Sequence, residues 1–179
     1  ESLRALEAED AAALTDEQVA GVVQGSFGYF AANPNRPAFA ALQELLTGSG
    51  AGSYYDDTAC HLHLVQWATN PGWSGLSPAV RAQLIDADAE FLRWQLRTAA
   101  VQRVLVNGTN ALQWVVRAGL VPAFDVEQVD YRNAKGRPKT MALSAAEVDG
   151  LRWQGWGIPA EDALSTEGRS KRLEWLRDR

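Results

Sequence analysis

The chain has 179 residues, 46% of them hydrophobic and 22% charged, with a formal net charge of −5. That is the composition of one globular domain with a sizeable core, and no run approaches the roughly 18 apolar residues of a membrane span. The single cysteine, Cys60, excludes an internal disulfide framework and a cluster needing about four thiolates. No charged-then-apolar leader opens the sequence, so secretion has no support, and the lone cysteine suits a reducing cytoplasm; a single domain over 1–179, monomeric, is expected.

The charge is unevenly spread. Residues 1–130 carry 7 basic and 15 acidic side chains, and residues 131–179 carry 10 basic and 7 acidic. An asymmetry of this kind can mark one face for a polyanion or simply a solvated tail.

In chain order, Thr15 and Gln18 form a capping box ahead of an apolar stripe at Val19, Val22 and Val23. Phe39, Leu42, Leu45 and Leu46 make the next helical stripe, stopped at Gly48-Ser49-Gly50. Ala59 to Ala68 lacks helix breakers, and its first half predicts a buried strand. Ser77-Pro78 starts the longest helix, ending near Ala100. Val104-Leu105-Val106 predicts a short buried strand, and Asn107 to Asn110 turns it into a helix ending at Gly119. Phe124 to Tyr131, Thr140 to Leu143 and Leu151 to Ile158 predict further strands, before a last helix with Leu173, Trp175 and Leu176. The alternation predicts an α/β fold of three layers, α/β/α, around a central and mainly parallel sheet.

Ligands of open α/β sheets bind beyond the carboxyl ends of the strands. One such end holds His61 and His63, the only histidines, two apart and on one face of a strand. They suit an acid, base or hydrogen-bond donor, or a satisfied core pair. A metal is not expected, because only Asp56 and Asp57 stand near as further ligands. No cofactor fingerprint is present. The other end is Asn107-Gly108, where a helix start offers backbone N–H groups to a phosphate or carbonyl oxygen. Of the seven tryptophans, Trp114 and Trp175 read as core, whereas Trp67, Trp73, Trp153 and Trp156 at strand ends or loops suit packing or base stacking. Arg132, Lys135, Arg137 and Lys139 form one basic cluster, and Arg169, Lys171 and Arg172 a second.

This order of segments resembles the uracil-DNA glycosylase superfamily over roughly residues 26 to 176. Gly28-Tyr29-Phe30, the prolines after it and the Phe39 to Leu46 helix resemble the segment carrying a base-stacking phenylalanine. Ala59 to Thr69 resembles the strand that ends in a base-reading asparagine, with His63 or His61 in its place. Val104 to Ala111 resembles the third strand and its turn. The family's first motif, Gly-x-Asp-Pro or Gly-x-Asn-Pro, is not found; Asn33-Pro34 is its nearest approach, and an upstream strand carrying the motif is expected. Trp156-Gly157-Ile158-Pro159 stands where the last motif carries a histidine.

The resemblance implies a DNA glycosylase acting on a flipped uracil or modified pyrimidine, including hypermodified viral bases, hence repair or antiviral defence. His63, His61 and Asn107 would carry catalysis. Tyr29, Phe30, Asn33, Gln66, Trp67, Gly108 and Trp156 would bind the base. Arg132, Lys135, Arg137, Lys139, Arg169 and Lys171 would hold the DNA backbone. The alternatives are a non-catalytic DNA-binding module of the same fold and a metal-dependent hydrolase built on His61 and His63.

Overall fold

The computed structural model describes residues 14–27, 29–33, 37–66, 69–98, 100–160 and 164–179. Helix α1 (Asp16–Phe27) is opened by the capping box, with Gln18 N donating to Thr15 Oγ1 and Thr15 N to Gln18 Oε1. Helices α2 (Tyr29–Ala32) and α3 (Pro37–Gly48) follow. Helix α4 (Pro78–Thr98) is the longest, and Ser77 Oγ accepts from Val80 N as its N-cap. Strand β1 (Arg103–Asn107) and helix α5 (Thr109–Arg117) come next. Strands β2 (Asp125–Arg132), β3 (Pro138–Val148) and β4 (Leu151–Trp156) form a meander, and α6 (Thr166–Asp178) closes the chain.

The fold is mixed α/β with an open four-stranded sheet in the order β1-β4-β3-β2. The expected mainly parallel pairing is corrected: β1 pairs β4 parallel, while β4–β3 and β3–β2 are antiparallel. Tight turns at Asn133–Arg137 and Asp149-Gly150 make hairpins, and a hairpin can only be antiparallel. Even so, β1, β2 and β4 run in one direction and β3 alone is reversed. The carboxyl ends of β1, β4 and β2 therefore face the same end of the sheet.

The predicted strand in Ala59 to Ala68 is also corrected. Residues 59–66 form no strand, and 67–68 lie outside the described residues. Backbone donors at both ends of the segment have partners elsewhere. Ala59 N donates to Ser53 O at 3.0 Å, and Gln66 N donates to the Asp88 carboxylate of α4 at 2.7 Å. Those bonds hold the segment in a loop.

Alternation along β4 divides the core between two clusters. Trp156, with Leu143, Met141 and Tyr131, packs with Leu45 of α3 and with Trp175 and Leu176 of α6. Trp153, with Val106, packs with Leu92 of α4 and Val115 of α5. Between the two tryptophans, Gly155 lets α5 approach the sheet. A Cβ at Gly155 would lie 2.6 Å from Leu112 Cδ2 and 3.0 Å from Val106 O. The backbone oxygen cannot yield as a side chain can. Gly155→Ala is therefore expected to destabilise the protein by about 1–3 kcal/mol through overpacking, measured by urea denaturation. A stability equal to the parent's would show that α5 adjusts freely over β4.

Candidate functional site

A cleft of about 1200 Å³ runs beside β1, between that strand and the loop of residues 57–65. It exceeds the roughly 300–1,000 Å³ of most small-molecule sites. Its lining includes Tyr54, Asp57, His61 and His63 on the loop side, Trp73 and Trp114 toward the helices, and Asn107 at the end of β1.

The loop wall is built on α3. Gln43 Nε2 donates to Ser53 Oγ, and Gln43 Oε1 accepts from Tyr54 N, so the helix dictates where Tyr54 sits. Asp56 Oδ1 then takes both the amide and the hydroxyl of Thr58, and these bonds hold its carboxyl below the usual range. Tyr54 stacks on Phe30 with ring centroids 4.2 Å apart and 9° between planes. Phe39 stands edge-on to Phe30 at 5.1 Å and to His61 at 5.3 Å. Tyr29 joins at 5.3 Å from Phe30, and His63 lies 4.8 Å from His61. The sequence-predicted residues Tyr29, Phe30, His61 and His63 are thus brought together through Phe39 and Tyr54, which sequence reasoning had not singled out for the site.

Electrostatics follow burial. His61 is half-buried, and its pKa is lowered first by desolvation and then by the neighbouring His63. Burial, with Cys60 nearby, pushes the Tyr54 hydroxyl up to about 12. Both therefore stay neutral near pH 7. His63 is exposed, which removes the reading of it as a satisfied core histidine. Among the described residues no group of three or more His, Cys, Asp or Glu is placed to hold a metal.

At the carboxyl ends of β1 and β4 the groups expected to meet a ligand hold the fold instead. Asn107 Oδ1 accepts from Trp156 Nε1 and from Ala160 N, each at 2.8 Å. Gly108, at φ 92°, donates its amide to Trp156 O at 3.0 Å. Thr109 gives its amide and its hydroxyl to Gly157 O. Trp156 is only 1% exposed, with Arg172 over its ring at 5.4 Å. Base stacking on Trp156 and anion capture by the Gly108 amide are thereby corrected to structural roles. Trp153 is likewise core. Asn33 Nδ2 donates to Tyr29 O and closes α2. Gln66 is exposed, and its side chain turns back to His63 O. Trp67 lies outside the described residues.

The two basic clusters converge. Lys171 Nζ donates to Asp130 O at 2.6 Å, and Ser165 Oγ, the N-cap of α6, donates to Arg132 O. Arg132, Lys135, Arg137 and Lys139 are exposed around the β2–β3 turn, with Arg169 and Lys171 on the first turns of α6 beside it. Arg169 Nε donates to Leu164 O, which draws that side chain toward its own helix start. Glu167 sits between the clusters, its carboxyl held low by the Lys171 hydrogen bond and by Arg132. Register places Asn107, Trp156, Leu143 and Glu127 in one row, so the hairpin extends past the end of β1 on the side where the cleft reaches Asn107.

Two outcomes follow. Asn107→Ala leaves the buried Trp156 indole N–H and the Ala160 amide without their acceptor, and is expected to cost about 1–3 kcal/mol per donor, read by urea denaturation. Unchanged stability would free Asn107 for a role in the cleft. His61 supplies the second. Its folded pKa lies below its unfolded value, so the unfolded chain binds the proton more readily. The stability this contributes is fully present above the ordinary histidine pKa of about 6.5 and is lost as pH falls toward the folded value. Between pH 7 and pH 5 the denaturation midpoint should fall more steeply for the parent than for His61→Gln, and equal slopes would count against the burial effect.

No protein-family model, curated protein or solved structure matches this chain.

Proposed function

We propose that the chain is a DNA glycosylase that hydrolyses the N-glycosidic bond of a flipped pyrimidine in the cleft beside β1. The observation that carries this reading is one ring cluster that joins Tyr29 and Phe30, through Phe39 and Tyr54, to His61 and His63, and that lines the cleft with Tyr54, His61 and His63. In this reading, helices on both sides of the sheet make three layers, as in the superfamily the sequence resembles.

The chemistry is assigned as follows. The C1′–N bond breaks with its electron pair leaving on the base, and donors aimed at that charge lower the barrier. His63, exposed on the cleft, donates to the departing base, and the half-buried His61 fixes its position. Water adds to C1′ and gives up a proton. Asp57 is the only carboxylate among the described lining residues, and it orients the water and receives that proton. Lys135, Arg137 and Lys139 meet the backbone phosphates.

A second reading, a DNA-binding module without catalysis, is favoured by one observation. Asn107 Oδ1 and the Gly108 amide, which excision would use, are committed to the end of β4.

Single-turnover excision from duplexes carrying uracil or glycosylated and other modified pyrimidines tests both. His63→Ala and Asp57→Asn are each expected to slow excision by about 10²-fold or more. Thermal unfolding of His63→Ala should shift little, since surface changes usually fall within about 0.5 kcal/mol. Binding without excision of any base would select the module, and excision unaffected by either substitution would remove the assignment.

A further inference from the structure

The lining of the cleft carries a second aromatic set. Trp73, in the short 3-10 turn Trp73–Gly75, lies edge-on to Trp114 of α5, with centroids 6.2 Å apart and 77° between planes. Arg81 of α4 lies over the Trp73 ring at 5.7 Å, and Arg117 lies over the Trp114 ring at 5.3 Å. The four side chains form one ladder, Arg81–Trp73–Trp114–Arg117. Trp114 is half-buried and lines the cleft, so its reading as a core residue is corrected.

Several features of this ladder point to one class of ligand. Both tryptophans line the cleft. Each ring carries a guanidinium, which binds phosphate readily while it stacks. The charge of the cleft departs from that of the chain. Its charged lining is Arg152 and Asp57, together with Arg103, whose guanidinium is held by Gln154, Leu176 O and Ser49 O, and the ladder adds Arg81 and Arg117, in a protein of net charge −5. An arginine-rich, aromatic strip in an acidic molecule attracts an anion that also offers flat apolar faces.

We infer that the Arg81–Trp73–Trp114–Arg117 ladder binds single-stranded nucleic acid, with unpaired bases against the indole rings and phosphates on the guanidinium groups. Indoles recessed in a cleft meet bases that are splayed out, whereas a paired duplex keeps its base faces covered. The ladder would hold the strand on either side of a flipped nucleotide while the histidine loop takes the base. The inference rests on the reading that nucleic acid enters this cleft and on none of the chemistry at His63.

The test is fluorescence anisotropy with a labelled oligothymidylate about 20 nucleotides long and a duplex of equal length, with tryptophan quenching read in parallel. The parent should bind the single strand more tightly than the duplex and quench on binding. Trp114→Ala and Trp73→Ala should each weaken single-strand binding about tenfold or more. Arg117→Glu lies on an exposed side chain and guards against misfolding of the tryptophan variants. It should weaken binding comparably, and Arg117→Gln should lower the salt slope by about 0.7. No single-strand binding by the parent, or binding indifferent to Arg117→Glu and both tryptophan changes, would overturn the ladder. Ladder-dependent binding with no excision of any base would leave the ladder standing and remove the glycosylase reading.

Discussion

The guanidinium of Arg103 joins four parts of the molecule. Its Nε donates to the side-chain carbonyl of Gln154 on the neighbouring strand, and its Nη2 donates to Leu176 O in the last turn of α6. Its Nη1 lies 3.5 Å from Ser49 O, just past the end of α3. Gln154 is fully buried and also donates to Leu176 O. The last carbonyls of a helix lack partners inside it and carry its negative dipole end. A cation shared between two helix ends meets that need, and it fixes both helices against the β1–β4 pair. Burial and the nearby Arg152 draw the Arg103 pKa down. Without this cation the buried amide and the helix carbonyls would each lose a partner, at about 1–3 kcal/mol apiece.

The position of β1 in turn decides where a ligand can go. On one side it pairs with β4, and on the other the cleft separates it from the loop of residues 57–65. The Asn107 side chain locks the end of β1 to Trp156 and Ala160. The cleft thus has a stiff wall of sheet and a wall of loop held by side chains, chiefly Gln43 and Asp88. Rigid support beneath, with site residues carried on a loop, is a common division of labour in binding sites.

Much of the fold was legible in the sequence. Local signals did that work: the Thr15–Gln18 box, Ser77-Pro78, the β-branched run at Val104 to Val106 and the turn from Asn133 to Pro138 each act within a few residues. The site was legible only in its members. Nothing near Asp88 in sequence announces that it will claim Gln66 N, 22 residues away, so the apolar run after Ala59 read as a strand. Asn107-Gly108 read as a ligand-binding turn because a free helix start and one covered by a returning strand share the same sequence. Tyr54 and Phe39 escaped the site reading because their role depends on packing between α3 and a loop. The two basic clusters were visible as charge, but their convergence needed the α6 N-cap to meet the end of β2.

The order of strands has a consequence for how the molecule assembles. Strands β2, β3 and β4 follow one another through short turns, so their contacts are local in sequence. Strand β1 must wait for a partner far down the chain, since Asn107 meets Trp156 across 49 residues. Closing so long a loop carries an entropic cost that a hairpin does not. The meander and α6, which carry the basic surface, are therefore expected to form ahead of the β1–β4 pairing, with β1 and α5 adding at the edge. The β1–β4 pairing is then the seam between the two groups of elements, and a partial opening of the native molecule would begin there.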